Sequence, residues 1–214
     1  MRADLSIGAL ILAGGRATRM GGIAKHAIVV GGETILARQL RVIREHTNDI
    51  LVSSPVDIDG VHAVRDATAH EGIGPLAGIA AGLAATTAHW MFVIAGDMPY
   101  ISGMLMGQML ELVACAGGRS EDDHAPTWSG VHAIGVKKRE LPEPLFSVLR
   151  VPRARTVVAA MIEARDFKAS RLLDALGASY IPEKLARACD PDLLTLHNIN
   201  EPGDIRTAPL DLPP

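Results

Sequence analysis

The sequence predicts an α/β protein in which helices flank a mostly parallel sheet. Apolar segments of strand length alternate with segments of helical periodicity, and two of the predicted strands end in glycine-containing turns. Aromatic residues make up only 3% of the 214 residues, so the core consists mostly of Ala, Val, Ile and Leu, which suits helices packed on a parallel sheet. We expect residues 1–206 to form one domain and residues 207–214, rich in Pro, to form a mobile tail.

The first half of the chain contains two predicted strand–helix–strand units. A continuous apolar run before the first glycines is typical of a buried central strand. Helical spacing of apolar residues and a proline at a first turn indicate the two helices. In chain order these elements are a strand over 7–12, a helix over 34–46, a strand over 50–53, a helix over 75–85 and a strand over 90–95.

The second half continues the alternation with less regular patterns. Its predicted elements are a helix over 104–116, a polar loop over 117–130, a strand over 131–136, helices over 151–164 and 170–176, and a strand over 193–197. Residues 72–96 contain no Asp, Glu, Lys or Arg, which by composition alone permits a membrane span. Pro75 and several glycines divide that stretch into a helix and a strand, so we expect no membrane association.

Charge and cysteine content exclude several function classes. The net charge of -3 and the pI near 6.2 provide no general attraction to nucleic acid or to an anionic membrane, so any anion-binding site must be local. Cys115 and Cys189 lie far apart and without metal-ligand spacing, which predicts neither a disulfide framework nor a zinc site and indicates a reducing, cytoplasmic setting. The apolar N-terminal run precedes a glycine-rich basic segment rather than a cleavage site, so we do not interpret it as a signal peptide.

The strongest functional signal is the glycine-rich segment over residues 12–22, LAGGRATRMGG, with Lys25 shortly after it. Glycines allow backbone N–H groups to approach phosphate oxygens, and Arg19 and Lys25 add the positive charge that amides lack. Neither the P-loop pattern nor the dinucleotide-binding pattern is met. Because a triphosphate carries about four negative charges, we expect several donors and a metal ion to share its binding. An ordinary βα turn with surface basic residues is the alternative interpretation.

A second signal is the carboxylate that follows the apolar strand over 90–95. Asp97 stands just past the carboxyl end of that strand, at the edge where open α/β sheets bind ligands. A carboxylate suits Mg²⁺, which takes one or two protein carboxylates together with substrate phosphates. Asp97 is therefore the predicted metal ligand, and a turn or helix-capping role is the alternative.

Three weaker signals concern the nucleoside and the acceptor. The small residues GIGPLAG over 72–78 open a predicted helix and allow a base or ribose to lie against its backbone, with tight helix packing as the alternative. Asp66 is a candidate acceptor of hydrogen bonds from a base or ribose, although exposed loop aspartates are common. The basic residues of the later half either receive an anionic acceptor or form a solvated face. They are Lys137, Lys138, Arg139, Arg150, Arg153, Arg155, Lys168 and Arg171.

Five motifs lie within about residues 7–206. They are LAGG-x3-RMGG-x2-K at 12–25, GPLAG at 74–78, GDMPYI at 96–101, PLFSVLR at 144–150 and NINEPGDI at 198–205. Together they resemble the molybdenum cofactor guanylyltransferases, a branch of the nucleotidyltransferase superfamily. The resemblance implies a three-layer α/β/α, Rossmann-like nucleotidyltransferase fold. It also implies an enzyme that binds GTP with Mg²⁺, transfers GMP to the phosphate of molybdopterin and releases pyrophosphate.

The resemblance implies roles for individual residues as well. Arg19, Lys25 and Asp97 match the family's catalytic positions, with Asp97 as the Mg²⁺ ligand. The residues expected at the nucleotide or the acceptor are Leu12, Ala13, Gly14, Gly15, Lys25, Asp66, Gly78, Asn198 and Asn200. Transient contact with molybdoenzymes or their chaperones is implied too, whereas nucleic acid and membrane partners are not expected.

Three positions depart from the family's usual residues. Ala24 precedes the lysine where an acidic or polar residue is common, and His26 follows it where a small residue is usual. Ser54 stands where the family often has an asparagine that contacts the nucleotide. These departures leave open the nucleotide affinity and the choice of base, and they leave room for a divergent paralogue. A cytidylyl or sugar-phosphate nucleotidyltransferase and a catalytically degenerate nucleotide-binding module are therefore alternatives.

Overall fold

The computed structural model describes residues 6–14, 27–70, 72–117, 133–138, 140–200 and 204. Most of the glycine-rich segment, most of the predicted polar loop and the predicted tail lie outside these residues. The predictions made for those three segments are therefore untested by the fold.

A mostly parallel sheet forms the centre of the described structure. The strands are Ile7–Leu12 (β1), Val29–Val30 (β2), Glu33–Thr34 (β3), Ile50–Ser53 (β4), His62–Val64 (β5), Trp90–Ala95 (β6), Ala133–Lys138 (β7), Leu141–Arg150 (β8) and Ser179–Tyr180 (β9). Seven of them form one sheet in the order β5-β4-β1-β6-β8-β7-β9, while β2 and β3 form a separate hairpin. Strand β1 is parallel to both of its neighbours, β4 and β6.

Helices cover both faces of this sheet. They are Ile35–Ile43 (α1), Pro75–Ala85 (α2), Gly103–Gly117 (α3), Val151–Glu163 (α4), Leu172–Ala175 (α5) and Glu183–Cys189 (α6). Residues of α1, α3 and α6 share one apolar core with one face of the strands, and residues of α2, α4 and α5 share a second core with the other face. The structure therefore confirms the three-layer α/β/α arrangement.

Strand β1 shows why its sequence is apolar throughout. Ala9 and Ile11 lie in the core beneath α1 and α3, whereas Leu10 lies in the core beneath α2 and α4. Both faces of the strand are thus covered, which is the usual position of a strand in a parallel sheet. The prediction of a buried central strand over 7–12 is confirmed.

The ends of α1 and α2 follow from local sequence. Thr34 caps α1, since its Oγ1 accepts a hydrogen bond from the Ala37 N–H at 3.2 Å. Pro75 stands in the first turn of α2, directly after Gly74. Helix α2 and strand β6 together account for the uncharged stretch over 72–96. In the part of the chain that the structure describes, no helix has both the length and the apolar character needed to span a bilayer.

The long strand β8 was not predicted. It runs antiparallel to both β6 and β7, with an irregular register next to Gly135. Pro142 and Pro144 interrupt the strand pattern in the sequence. Both prolines lie in the part of β8 that does not pair with β6. The N–H groups that prolines lack are therefore not needed for hydrogen bonds to β6.

Two predictions in the second half need correction. The predicted strand over 193–197 is wrong, because Leu194–Leu196 forms a 3₁₀ turn. The carboxylate of Asp190 accepts hydrogen bonds from the N–H groups of Leu194 at 3.0 Å and Thr195 at 2.8 Å, which fixes a turn instead of an extended segment. The predicted helix over 170–176 is divided into a 3₁₀ turn, Ala169–Arg171, and the short helix α5.

Candidate active site

The carboxyl ends of β1, β4 and β6 meet at one edge of the sheet. Leu12 of β1 pairs with Ser53 of β4 on one side and with Ala95 of β6 on the other. The chain passes from β1 to β4 and β5, then returns to β6 on the opposite side of β1. Such a switch point is where open α/β sheets bind ligands, and a cleft of about 620 Å³ opens there.

Six of the predicted site residues line this single cleft. They are Leu12, Gly14, Asp66, Gly78, Asp97 and Asn198. The sheet therefore brings together residues from the first strand, the loop before α2, α2 itself, the end of β6 and the segment after α6.

The remaining predicted site residues fall into two groups. Ala13 is 3% exposed and belongs to the apolar core beside the cleft, while Asn200 is exposed and donates its backbone N–H to Asp204 Oδ2 at 2.8 Å. Gly15, Arg19 and Lys25 lie outside the described residues, as do Ala24 and His26. Their roles stay predictions from the sequence.

The turn that carries Asp97 is tightly packed against β1. The Gly96 N–H donates to Leu12 O at 3.0 Å, and a Cβ added at Gly96 would lie 2.7 Å from that same oxygen. Only glycine permits this approach of the two backbones. Asp97 itself is 8% exposed, and its backbone carbonyl accepts a hydrogen bond from the Ile199 N–H at 2.8 Å. A late segment of the chain thus holds the backbone of Asp97 at the cleft.

Asp97 and Asn198 supply oxygen atoms of the kind that Mg²⁺ prefers. Both residues line the cleft. The Asn198 Oδ1 atom is buried and accepts no hydrogen bond from the described residues. A buried carbonyl oxygen of this type needs a donor or a cation as a partner. The donor set at this end of the cleft, a carboxylate and an amide oxygen, fits a hard divalent cation.

The opposite end of the cleft lies between β4 and the start of α2. The Ser53 hydroxyl donates to Asp66 Oδ1 at 3.5 Å, and Asp66 itself is exposed to solvent. The neighbouring Ser54 is buried, and its hydroxyl accepts a hydrogen bond from the Val56 N–H at 3.2 Å. This end presents hydroxyl and carboxylate groups around an open space next to the small residues of α2, and Gly74 is among those that line it.

Gly78 brings α2 against the ends of β1 and β4. A Cβ added there would lie 2.5 Å from Ser53 Oγ and 2.8 Å from Leu12 Cδ2. Tight helix packing and nucleoside contact are the two alternatives that the small residues of this segment predict. The packing is confirmed, and because Gly78 also lines the cleft, the nucleoside contact stays a prediction.

Two residues of α1 that the sequence analysis missed hold the turn after β6 from the other face. Gln39 is wholly buried, and its Nε2 donates to Ala95 O at 2.7 Å and to Met98 O at 3.0 Å. Arg38 donates from Nε to Pro99 O at 3.2 Å. A glutamine at a core-facing position of an amphipathic helix is the signal in the sequence from which Gln39 can be found.

Arg38 also connects the hairpin before α1 to the same turn. It donates to Val30 O at 3.3 Å, and its guanidinium lies 5.5 Å from the centre of the Tyr100 ring. Burial raises the pKa of the Tyr100 phenol, and the charge of Arg38 opposes that effect. The contacts give Arg38 a structural role at the floor of the site.

The basic residues of the later half do not line the described part of the cleft. Arg155 donates to the carbonyls of Leu83 at 2.7 Å and Thr86 at 2.8 Å, where α2 ends. Arg171 pairs with Asp166 at 2.9 Å. The two arginines serve as a helix cap and a surface ion pair, respectively.

Comparison with known proteins gives consistent results. Residues 9–180 match the family model described as the MobA-like NTP transferase domain. The molybdenum cofactor guanylyltransferase of Pseudomonas putida (strain GB-1) is 30% identical over 197 residues, which cover 90% of this chain and 92% of that protein. The enzyme of the same name from Pseudomonas paraeruginosa is 33% identical over 198 residues, which cover 88% of this chain and 93% of that protein.

Solved structures share the fold at lower identity. Molybdopterin-guanine dinucleotide biosynthesis protein A from Archaeoglobus fulgidus superposes with a TM-score of 0.72 at 21% identity, covering 94% of this chain and 95% of that one. The 2-C-methyl-D-erythritol 4-phosphate cytidylyltransferase from Thermus thermophilus superposes with a TM-score of 0.62 at 18% identity, covering 95% and 96%. The arrangement of sheet and helices is therefore common to proteins named for guanine and for cytosine nucleotides.

Proposed function

Because the chain belongs to the family of MobA-like NTP transferase domains, we propose that it is a molybdenum cofactor guanylyltransferase, which moves GMP from GTP to the phosphate of molybdopterin. The observation that carries nucleotidyl transfer is the convergence of Asp66, Asp97 and Asn198 on one cleft at the switch point of the sheet. The names of relatives that align over 90% and 88% of this chain support guanine and the molybdopterin acceptor. Transfer of the product to molybdoenzymes or their chaperones, in a reducing cytoplasm, is part of the proposal.

The end of the cleft near Asp66 suits a guanine nucleoside. Guanine presents N–H donors on its Watson–Crick edge, and the ribose presents hydroxyl donors, so a carboxylate is a suitable acceptor for either. Ser53 supplies a hydroxyl beside that carboxylate. Gly74 leaves room for a flat ring next to the start of α2, because no atom lies within 4 Å of the place that a Cβ would take there. We assign the nucleoside to this end of the cleft.

The end of the cleft near Asp97 suits the phosphates. Asp97 would hold Mg²⁺, and the Asn198 Oδ1 oxygen, which is buried at the cleft without a hydrogen bond from the described residues, would be a second ligand. Mg²⁺ held there would neutralise part of the charge on the phosphates. The N–H groups of the glycine-rich segment, together with Arg19 and Lys25, supply further positive charge in this proposal.

The reaction requires positioning rather than a protein nucleophile. An oxygen of the acceptor phosphate attacks the α-phosphorus of GTP, a new P–O bond forms, and the bond to the β-phosphate breaks to release pyrophosphate. A phosphate monoester has a second pKa of about 6, so the attacking oxygen is largely deprotonated at neutral pH and no general base is needed. The chain's task is to align the two phosphates and to stabilise the charge that develops between them.

The direct test is incubation of the full chain with GTP, Mg²⁺ and molybdopterin, followed by measurement of pyrophosphate and of the guanine dinucleotide product. We expect stoichiometric release of both. The Asp97→Asn variant is expected to lose more than about 100-fold in turnover, because a metal ligand contributes several kcal/mol to the transition state and each 1.36 kcal/mol is tenfold in rate.

The matched control is Asp59→Asn, which neutralises an exposed carboxylate outside the cleft and should turn over like the wild type. Both variants should melt close to the wild-type temperature. Turnover by Asp97→Asn at the wild-type rate would remove the metal role from this residue. A wild-type protein that forms no product beside a competent guanylyltransferase would contradict the proposed function.

Cytidylyl transfer is the second candidate, because Ser54 replaces the asparagine that the family often has and because a cytidylyltransferase shares the fold. A panel of GTP, CTP, ATP and UTP with molybdopterin and with sugar phosphates separates the two. We expect GTP to have the highest kcat/KM. A higher kcat/KM for CTP would assign the chain to cytidylyl chemistry.

A further inference from the structure

Gln39 stands at a position in α1 where an apolar residue would be expected. The buried residues of this helix are Ile35, Leu36, Gln39 and Ile43, and Gln39 is 0% exposed. Burial of an amide without hydrogen bonds is costly, so a glutamine at such a position is held by specific partners. Its Oε1 atom accepts no hydrogen bond from the described residues. Within that part of the chain, the amide is therefore held by the hydrogen bonds that its Nε2 atom donates.

Both contacts of the Gln39 nitrogen go to the turn that carries Asp97. The Nε2 atom lies 2.7 Å from Ala95 O and 3.0 Å from Met98 O, so each of its two hydrogens has an acceptor. These two carbonyls stand on either side of Gly96 and Asp97. One side chain from α1 thus fixes the backbone before and after the carboxylate.

The turn's own closing hydrogen bond is long by comparison. The Met98 N–H donates to Ala95 O at 3.4 Å, near the outer limit for a hydrogen bond. The shorter contacts from Gln39 therefore do more to set the separation of Ala95 and Met98. Because the direction of a side chain follows from the backbone that carries it, a shift in this turn would move the Asp97 carboxylate within the cleft.

We propose that Gln39 is a positioning residue for Asp97, holding the turn after β6 in the conformation that presents the carboxylate to the metal and the phosphates. This inference rests on the metal role that the proposed function gives to Asp97. Gln39 does not line the described cleft. It acts through the backbone carbonyls on either side of Asp97.

The test compares Gln39→Met, which keeps the length of the side chain and removes both donors, with the wild-type full chain. Mn²⁺ serves as a spectroscopic probe, and its affinity is measured by electron paramagnetic resonance in the presence of a non-hydrolysable GTP analogue. We expect Gln39→Met to bind Mn²⁺ about tenfold more weakly or worse, in the range seen when a group behind a metal ligand is removed. In turnover assays the Mg²⁺ concentration for half-maximal rate should rise, and excess Mg²⁺ should restore most of kcat.

Arg155→Met provides the matched control, since it also removes two hydrogen bonds to backbone carbonyls, those of Leu83 and Thr86. Neither carbonyl belongs to the cleft. We expect this variant to melt at a lower temperature and to bind Mn²⁺ with wild-type affinity. If Gln39→Met likewise loses only thermal stability and keeps wild-type Mn²⁺ affinity, Gln39 is a core residue and the inference is overturned.

A second variant covers the case in which Gln39→Met does not fold. Gln39→Asn keeps an amide donor but is one methylene shorter, so it reaches the two carbonyls poorly and should weaken Mn²⁺ binding by a smaller factor. Mn²⁺ affinity equal to that of the wild type would again overturn the inference. A wild-type chain that binds Mn²⁺ with the nucleotide analogue but forms no product would contradict the proposed acceptor or reaction, while the comparison of affinities would still decide the role of Gln39.

Discussion

Helices α1 and α2 pack on opposite faces of β1 and support the same cleft in opposite ways. Helix α1 contributes side chains, because Gln39 and Arg38 donate hydrogen bonds to carbonyls of the turn after β6. Helix α2 contributes a position without a side chain, Gly78, which allows the helix to pack closely against Ser53 and Leu12. The end of the cleft near Asp97 is thus held by hydrogen bonds from side chains, and the end near Asp66 by the close approach of α2 to β1 and β4. Removal of a side chain from α1 should therefore disturb the end of the cleft near Asp97, and addition of a side chain to α2 should disturb the end near Asp66.

Among these substitutions, we expect Gly78→Ala to cause the largest loss in the free energy of unfolding. The new methyl group would lie 2.5 Å from Ser53 Oγ and 3.1 Å from Ser53 Cβ, so the serine or the helix must move. Overpacking of this kind destabilises by about 1–3 kcal/mol. We expect that loss in urea unfolding together with weaker nucleotide binding measured by calorimetry, since the same residue lines the cleft.

Gly82→Ala separates packing from binding on the same helix. The three atoms nearest to the new methyl group would all belong to the Leu10 side chain, the closest at 2.5 Å. Gly82 does not line the cleft. We expect a similar or smaller loss of stability with unchanged nucleotide affinity. If Gly82→Ala weakened nucleotide binding as much as Gly78→Ala, the effect would come from displacement of the whole helix rather than from the wall of the cleft.

On the α1 side, Arg38→Met should lower stability by about 1–2 kcal/mol. The substitution removes the hydrogen bonds to Pro99 O and Val30 O and the contact with the Tyr100 ring. A hydrogen bond to a charged group contributes about 1.5–3 kcal/mol net, and the partial exposure of Arg38 reduces that contribution. Urea unfolding measures the loss. A variant as stable as the wild type would show that the hairpin and the turn hold each other without this arginine.

A smaller effect concerns Tyr100, which lies beneath Arg38. Burial raises the pKa of its phenol above the ordinary value of 10.0, so the fold favours the neutral form. The resulting stability is complete below about pH 10 and is lost as the pH rises through the higher pKa of the folded state. We expect the unfolding free energy to fall less steeply in Tyr100→Phe than in the wild type between about pH 9 and pH 11. Identical slopes would contradict the raised pKa.

The smallest effect is expected at the surface pair of Asp166 and Arg171. The hydrogen bond from Arg171 lowers the pKa of the Asp166 carboxyl below its ordinary value of 3.8. The contribution of this pair is therefore present above that value and is lost as the pH falls through the lower pKa of the folded state. In Arg171→Gln, the Asp166 carboxyl should titrate closer to its ordinary pKa in an NMR titration, with little change in stability at neutral pH. An unchanged titration would assign the shift to another group.

The sequence predicted the elements whose local pattern agrees with their tertiary environment. Strands β4 and β6 and helix α2 have the predicted bounds, because apolar runs and a first-turn proline determine them locally. Strand β8 was missed because its two prolines break the strand pattern in the sequence. They are tolerated because β6 does not pair with the part of β8 that contains them, and the sequence does not show where that pairing ends. The strand predicted over 193–197 is wrong because the Asp190 carboxylate accepts hydrogen bonds from two backbone N–H groups of that segment and so stabilises a turn. The apolar residues alone do not reveal these hydrogen bonds.

The same division applies to the site. Asp97 could be predicted because it follows a predicted strand at the edge where ligands bind. Asp66 was found only as a candidate hydrogen-bond acceptor and through the family resemblance, because β5, the strand before it, was not predicted. Gln39 could not be assigned its partners, since nothing local connects a residue of α1 with the carbonyls of Ala95 and Met98. Contacts between distant parts of the chain depend on the register of the sheet, which periodicity does not reveal.

The hydrogen bond from the Ile199 N–H to the Asp97 carbonyl has a consequence for biosynthesis. Chains emerge from the ribosome N-terminal end first, and their early parts begin to fold during translation. Strand β6 and its turn are therefore made well before the amide that supports the aspartate. The cleft of a nascent chain therefore stays incomplete until Ile199 has been made and packed against the turn.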